Sequence, residues 1–179
     1  LIDGWLSVAR QRLVDPDTGL LVSSYSVDGR HLDGPEGSSI FMAAHTLRVI
    51  DPACAEDQDE RARGELGVTV AGFGFAREWP RSWQGPVDID SGPTVPVIGA
   101  NAGASGQALV GAAAFDDDEY LGELLASLRL AAFPSRRGEG RTYAASNHVG
   151  DAVILYALVQ GPLWERAEPG HRLVAEVTP

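Results

Sequence analysis

At 179 residues the chain is long enough for one domain with its own core, and its apolar share of 44% is that of a globular protein. A net charge of −11, from 25 Asp and Glu against 14 Lys and Arg, argues against a nucleic-acid partner, whose binding rests on phosphate neutralisation. The lone Cys54 excludes an intrachain disulfide and a thiolate metal cluster and leaves the compartment open, and no run approaches the roughly 18 apolar residues of a membrane span.

Ile2, Trp5, Leu6, Ala9 and Leu13 recur at helical spacing with Arg10, Gln11 and Arg12 between them, so residues 2–13 are expected to form an amphipathic helix. It stops at Asp15-Pro16-Asp17-Thr18-Gly19, a turn written in Pro and Gly, and Ser26 to Arg30 reads as a hairpin-like turn. Asp33 to Ser39 leads into a second helix, Ile40 to Val49, whose apolarity on nearly every side implies burial. Asp51-Pro52 ends it, and the charged stretch from Cys54 to Leu66 is expected to be an outer helix. Gly67 to Gln84 reads as a long irregular loop rich in large groups, which in a compact domain is usually functional.

From Asp88 to Phe115 the chain carries two carboxylates, then a long run of Gly, Ala, Ser and Asn. Asp90 or Ser91 suits an N-cap and Pro93 a first helical turn. Glycines lower helix propensity by about 1 kcal/mol each relative to Ala, so such a helix persists only when packed on all sides. An inner helix is therefore expected there. Asp116 to Glu119 opens an outer helix bearing Tyr120, Leu121, Leu124, Leu125 and Leu128, its acidic start matched to the helix dipole. Pro134 to Gly140 reads as a polar loop. Ser146 to Asp151 opens a last buried helix through Val159, closed by Gly161-Pro162, with a tail to Pro179.

Buried helices alternating with half-exposed ones are what an α/α toroid requires. The expected fold is all-α: about six helices as three hairpins, half of an (α/α)6 barrel, with short irregular or β-hairpin loops. One domain would span 1–164, incomplete at its N-terminus since the chain opens on Leu1 rather than Met, followed by a tail over 165–179.

Asp90 and Asp88 lead the candidate catalytic residues. One reading is a carboxylate pair at a pocket mouth, where proximity raises one pKa and produces a general acid; the other is helix capping. Glu36, at the start of the second helix, occupies the analogous position, or is a surface turn residue. His148 and Asp151, three apart, share a helix face, with Asn147 beside them, and form either an acid–base pair or a mutually satisfied one. Arg77, Glu78, Trp79 and Trp83 in the long loop are candidate substrate contacts, though loop aromatics also serve as anchors. His45 reads as a core residue, and His31 and His171 have no patterned partner. No metal or phosphate motif is present, and no cofactor is implied.

Several segments resemble the linalool dehydratase/isomerase-like proteins: Leu13-Val14-Asp15-Pro16-Asp17-Thr18-Gly19-Leu20, then Ser24-Tyr25 and Gly29, then Val49-Ile50-Asp51-Pro52-Ala53. The run from Gly111 to Leu121 and Arg141-Thr142-Tyr143 fit the same family, so the similarity covers roughly residues 5 to 160. It implies the C-terminal three hairpins of an (α/α)6 barrel of the six-hairpin class, with a pocket at one mouth that Tyr143 joins. It also implies lyase or isomerase action by carboxylate acid–base chemistry on a small, isoprenoid-like alcohol. Glycoside hydrolysis, which also uses two carboxylates, is the alternative enzyme class, and a non-catalytic binding or assembly module is the third. Half a ring leaves apolar flanks at helix 2–13 and helix 152–159, so a missing N-terminal half or a second copy is the expected partner.

Overall fold

The computed structural model describes residues 1–85, 87, 91, 92, 94–138, 140–144 and 146–167, with the backbone alone described at 137, 141 and 160–167. Among these residues the order of elements is α1 (Ile2–Arg12), α2 (Gly37–Leu47), α3 (Pro52–Leu66), β1 (Gly67–Val70), β2 (Phe73–Ala76), β3 (Thr94–Val95), β4 (Ala100–Asn101), α4 (Ala102–Ala114), α5 (Asp118–Ala131), β5 (Pro134–Arg137), β6 (Gly140–Tyr143) and α6 (His148–Ala167). Helix makes up 51% and strand about 15%, the strands forming three small antiparallel pairs. The expected all-α class, a half-toroid of three helical hairpins, is thereby corrected to a mixed α and β architecture.

The error lay chiefly in the stretch read as an irregular loop. Val68, Val70, Phe73 and Phe75 are β-branched or aromatic, and pairing sets Val68 opposite Phe75 and Val70 opposite Phe73. The link between the strands is Ala71-Gly72, with φ of 52° and 80°; positive φ at both central residues is the signature of a type I′ hairpin turn. The stretch read as a polar loop likewise pairs, Pro134 with Tyr143 and Arg137 with Gly140, with the Ser135 and Thr142 hydroxyls 3.0 Å apart across it.

Helix α4 is the centre of the core and packs against α2, α5, α6 and β2. Its small residues let neighbours come close. A side chain on Gly111 would meet the Asp59 carboxylate at 3.0 Å and the Phe41 ring at 3.1 Å, and one on Gly37 of α2 would meet the Ala104 methyl at 2.8 Å. Leu20, Ile40, Phe41, Leu66, Val110, Tyr120 and Ile154 fill the space around it. Outside this layer, α3 turns a buried face of Ala55, Gln58, Ala62 and Leu66 inward and keeps most of its charges outward, Asp59 and Arg63 being half-buried. Gln58 clamps the preceding turn, accepting from Leu21 N at 2.8 Å and donating to Gly19 O at 3.0 Å. Helix α1 rests on Leu47, Ala55 and Val22 through Leu6, Ala9 and Leu13, and Arg10 pairs with Asp51. The β1–β2 hairpin lies on α5, where Gly74 lets the strand touch the Leu124 amide and Tyr120 donates to Phe75 O at 2.5 Å.

Helix starts follow capping chemistry. Asp51 accepts from Cys54 N with Pro52 in the first turn of α3, and Asp117 accepts from Tyr120 N at the head of α5. The central helix departs from expectation: its N-cap is Asn101, which accepts from Ala104 N at 2.9 Å, rather than Asp90 or Ser91. At the other end of the chain α6 continues through Gly161-Pro162 instead of closing there. Among the described residues no helix is long and apolar enough to cross a membrane.

Candidate functional site

Between the N-terminal half of α4, the facing side of α5 and the first turns of α6 lies a cleft of about 790 Å³, bordered on one side by β2, β4 and the residues Ser91, Gly92, Thr94 and Val95. That volume is within the roughly 300–1,000 Å³ of small-molecule sites. Its wall is built by the same features that build the core. The small residues Ala102, Gly103 and Gly106 keep α4 thin, and Leu109, Leu124, Leu128, Val153 and Ile154 supply an aliphatic surface. No Asp, Glu, Lys, Arg or His is among its described lining residues, in a chain where such groups are abundant.

Asn101 holds the segment before β4 onto this cleft. Its carboxamide donates to Gly92 O at 3.1 Å and to Thr94 Oγ1 at 3.3 Å, and accepts from Ala104 N and from the Ser91 hydroxyl at 3.3 Å. Gly103 makes the close approach possible, since a side chain there would stand 2.4 Å from Ser91 O. Ser105 is equally committed, donating to Asn101 O at 2.6 Å and accepting from Ala76 N at 3.0 Å. Two polar atoms on the lining residues are different: Gln107 Oε1 and Ser127 Oγ are buried and have no hydrogen-bond partner among the described residues.

The residues singled out from sequence fall in three places. Asp88 and Asp90 lie outside the described residues; Ser91, next in the chain, lines the cleft. Asn147 lines it too, but its side-chain oxygen caps α6, accepting from Val149 N at 3.0 Å and Gly150 N at 2.9 Å. His148 is exposed, and Asp151, in the same helical turn, has a buried Oδ1 with no partner among the described residues. Neither belongs to the cleft wall. Tyr143 packs against the main core at the end of β6.

Glu36, Arg77, Glu78, Trp79 and Trp83 come together elsewhere, at the head of α2. Gly37 N donates to Glu78 O at 2.8 Å, and Ser38 donates to Glu78 Oε1 at 2.5 Å. Glu78 is only 2% exposed, with Oε2 buried and unpartnered among the described residues, and Glu36 accepts from Ser39 at 3.4 Å. Burial and the cation of Arg81 lower the Arg77 pKa. Trp79 and Trp83 stack on each other at 5.5 Å and 15°, and Trp83 also presses on Gly34, where a Cβ would stand 2.3 Å from its ring. The two rings thus anchor the loop to itself and to the approach to α2.

A second, shallower cleft of about 480 Å³ lies between α3 and the α4–α5 link. Asp59 borders it, and burial, reinforced by the charge of Asp117, pushes its carboxyl up to about 6. Arg63 is already engaged there, 3.1 Å from Asp117 and 3.6 Å above the Tyr120 ring. His45 is buried between α2 and α6, 2.7 Å from the Tyr156 hydroxyl, and burial, then Arg48, brings its pKa down to about 4, so its imidazole is neutral at neutral pH. Among the described residues no group of three or more His, Cys, Asp or Glu could hold a metal ion.

Sequence reasoning missed Gln107, Ser127, Asn101 and Asp59. Gln107 carried a signal, being the one long polar side chain in a helix of small residues. Ser127 carried none, and Asp59 was hidden among exposed charges on α3. No family model matches the chain, and neither does any curated protein.

Proposed function

We propose that this chain forms part of an enzyme acting on a small, neutral, largely apolar alcohol held in the α4–α5–α6 cleft. The observation that carries the reading is the aliphatic wall without an ionisable group among its described residues. Such a wall rejects charged ligands through desolvation and favours a hydrocarbon frame at about 25 cal/mol per Å² of buried apolar surface. The reaction class, lyase or isomerase chemistry on an isoprenoid-like alcohol, comes from the resemblance to the linalool dehydratase/isomerase-like proteins. General acid–base work is assigned to Asp90, with Asp88 second, as the carboxylate pair next in sequence to Ser91, a residue of the cleft. Glycoside hydrolysis finds less support, since Trp79 and Trp83 stack on one another away from the cleft.

Calorimetric titration with a ten-carbon isoprenoid alcohol and with a disaccharide tests the reading. The alcohol is expected to bind saturably and the sugar not at all; binding of the sugar alone overturns it. Once turnover is in hand, Asp90→Asn removes the acid with little change in side-chain volume, and unchanged turnover removes Asp90 from the catalytic role.

The finer partner reading concerns two exposed apolar stripes: Ile2, Trp5 and Val8 on α1, and Leu155, Leu158 and Val159 on α6. Each follows helical spacing, so each is a continuous face rather than scattered residues. We assign their covering to a second copy of this chain.

A further inference from the structure

We propose that Gln107 and Ser127 read a single hydroxyl on the ligand, so that the cleft selects a mono-alcohol over the corresponding hydrocarbon. The inference rests on the cleft being the binding site argued above and names what that site recognises.

A buried polar atom without a partner is destabilising, and native proteins keep few of them. Here two occur on residues that line the cleft, Gln107 Oε1 on α4 and Ser127 Oγ on α5, neither with a partner among the described residues. The Ser127 residue is only 7% exposed, and neither atom opens onto the cleft as the side chains stand. The neighbouring polar side chains are not available in the same way. Asn101 uses both its donor and its acceptor, Ser105 is bonded at both ends, and the Asn147 oxygen caps α6. The chemistry of the pair is complementary to a hydroxyl. A carboxamide oxygen only accepts, whereas a serine hydroxyl both donates and accepts, so a ligand O–H can donate to Gln107 and accept from Ser127. Both groups turn about single bonds, so a change of rotamer turns them toward a ligand without moving either helix. A sugar, with many hydroxyls, would leave most of them unpartnered against Leu109, Leu124 and Leu128.

The test compares a ten-carbon isoprenoid alcohol with its deoxygenated hydrocarbon by calorimetry on the wild-type chain, Gln107→Met and Ser127→Ala. Wild type is expected to prefer the alcohol by about tenfold or more, the worth of one satisfied against one stranded hydroxyl. Each substitution should erode that preference while leaving hydrocarbon affinity within about twofold. Ser127→Ala removes a hydroxyl with no partner among the described residues, so its thermal midpoint should be unchanged or higher, which separates loss of recognition from loss of fold. Equal affinity for alcohol and hydrocarbon in the wild type, or a preference untouched in both variants, overturns the hydroxyl inference and leaves the cleft reading standing. Binding of neither compound overturns both.

Discussion

Asp59 is the described carboxyl whose environment most changes its chemistry. It sits half-buried against Gly111 and Phe41 with Asp117 nearby, and its pKa rises from 3.8 to about 6. Between those values the folded state holds a proton that the unfolded chain releases. This group therefore favours folding below about pH 4, and its contribution falls away as pH rises through 6. Allowing for partial exposure, the loss is about 1–2 kcal/mol. Asp59→Asn should match wild type at pH 4 and be more stable by that amount at pH 8 in urea melts; a pH-independent difference between the two proteins counts against the assignment. Other groups, such as Asp57 with its pKa lowered by hydrogen bonds from Arg61, oppose this trend, so only the difference between the two proteins is diagnostic. Little of this was legible in the sequence. A carboxylate amid Glu56, Asp57 and Glu60 reads as solvated until α4 is known to lack a side chain at Gly111. The N-cap of α4 was misread for a related reason. Asp90, Ser91 and Pro93 have the composition of a helix start, but the chain bends at Gly92 and Gly99, both with positive φ, and starts the helix only after Asn101.

At the scale of elements, helices were easier to read than strands. The charged stretch from Cys54 to Leu66, following the stop at Asp51-Pro52, bounds α3 within two residues, because both signals are local. The β1–β2 hairpin was hidden because Ala-Gly is not one of the dipeptides that announce a type I′ turn. Ala71 occupies the left-handed region at φ 52°, a conformation its Cβ disfavours by about 1–2 kcal/mol. Asn tolerates that region, so Ala71→Asn should raise stability by about 0.5–1 kcal/mol, while Ala71→Val should lower it by more. Equal thermal midpoints for the Asn and Val variants would mean that the turn is not held as described. The hairpin matters to the site because Gly74 and Phe75 of β2 form part of the cleft wall and Tyr120 ties that strand to α5.

For the molecule as a whole, the run of small residues signalled a central helix, and α4 does pack against α2, α5, α6 and β2, but its N-terminal half also lines the cleft instead of being enclosed on all sides. The strand pairs around it were not legible, and so the fold class was misjudged. The apolar stripes on α1 and α6 lead to an expectation about assembly. In the proposed pairing, light scattering should give a concentration-dependent species of twice the 18.9 kDa chain mass, and Leu155→Glu with Leu158→Glu should return it to monomer. A wild-type chain that stays monomeric at every concentration assigns those faces to something other than a second copy. The contrast between an acidic exterior and a cleft lined, among the described residues, only by neutral groups reaches further, to the influence of added salt. The field of eleven net negative charges decays over about 30 Å at 0.01 M ionic strength and about 3 Å at 1 M, yet a neutral occupant carries nothing for it to act on. Affinity for the alcohol should therefore stay level across that range, whereas a cationic dye adsorbed on the outer face of α3 should be stripped away as the counter-ions accumulate.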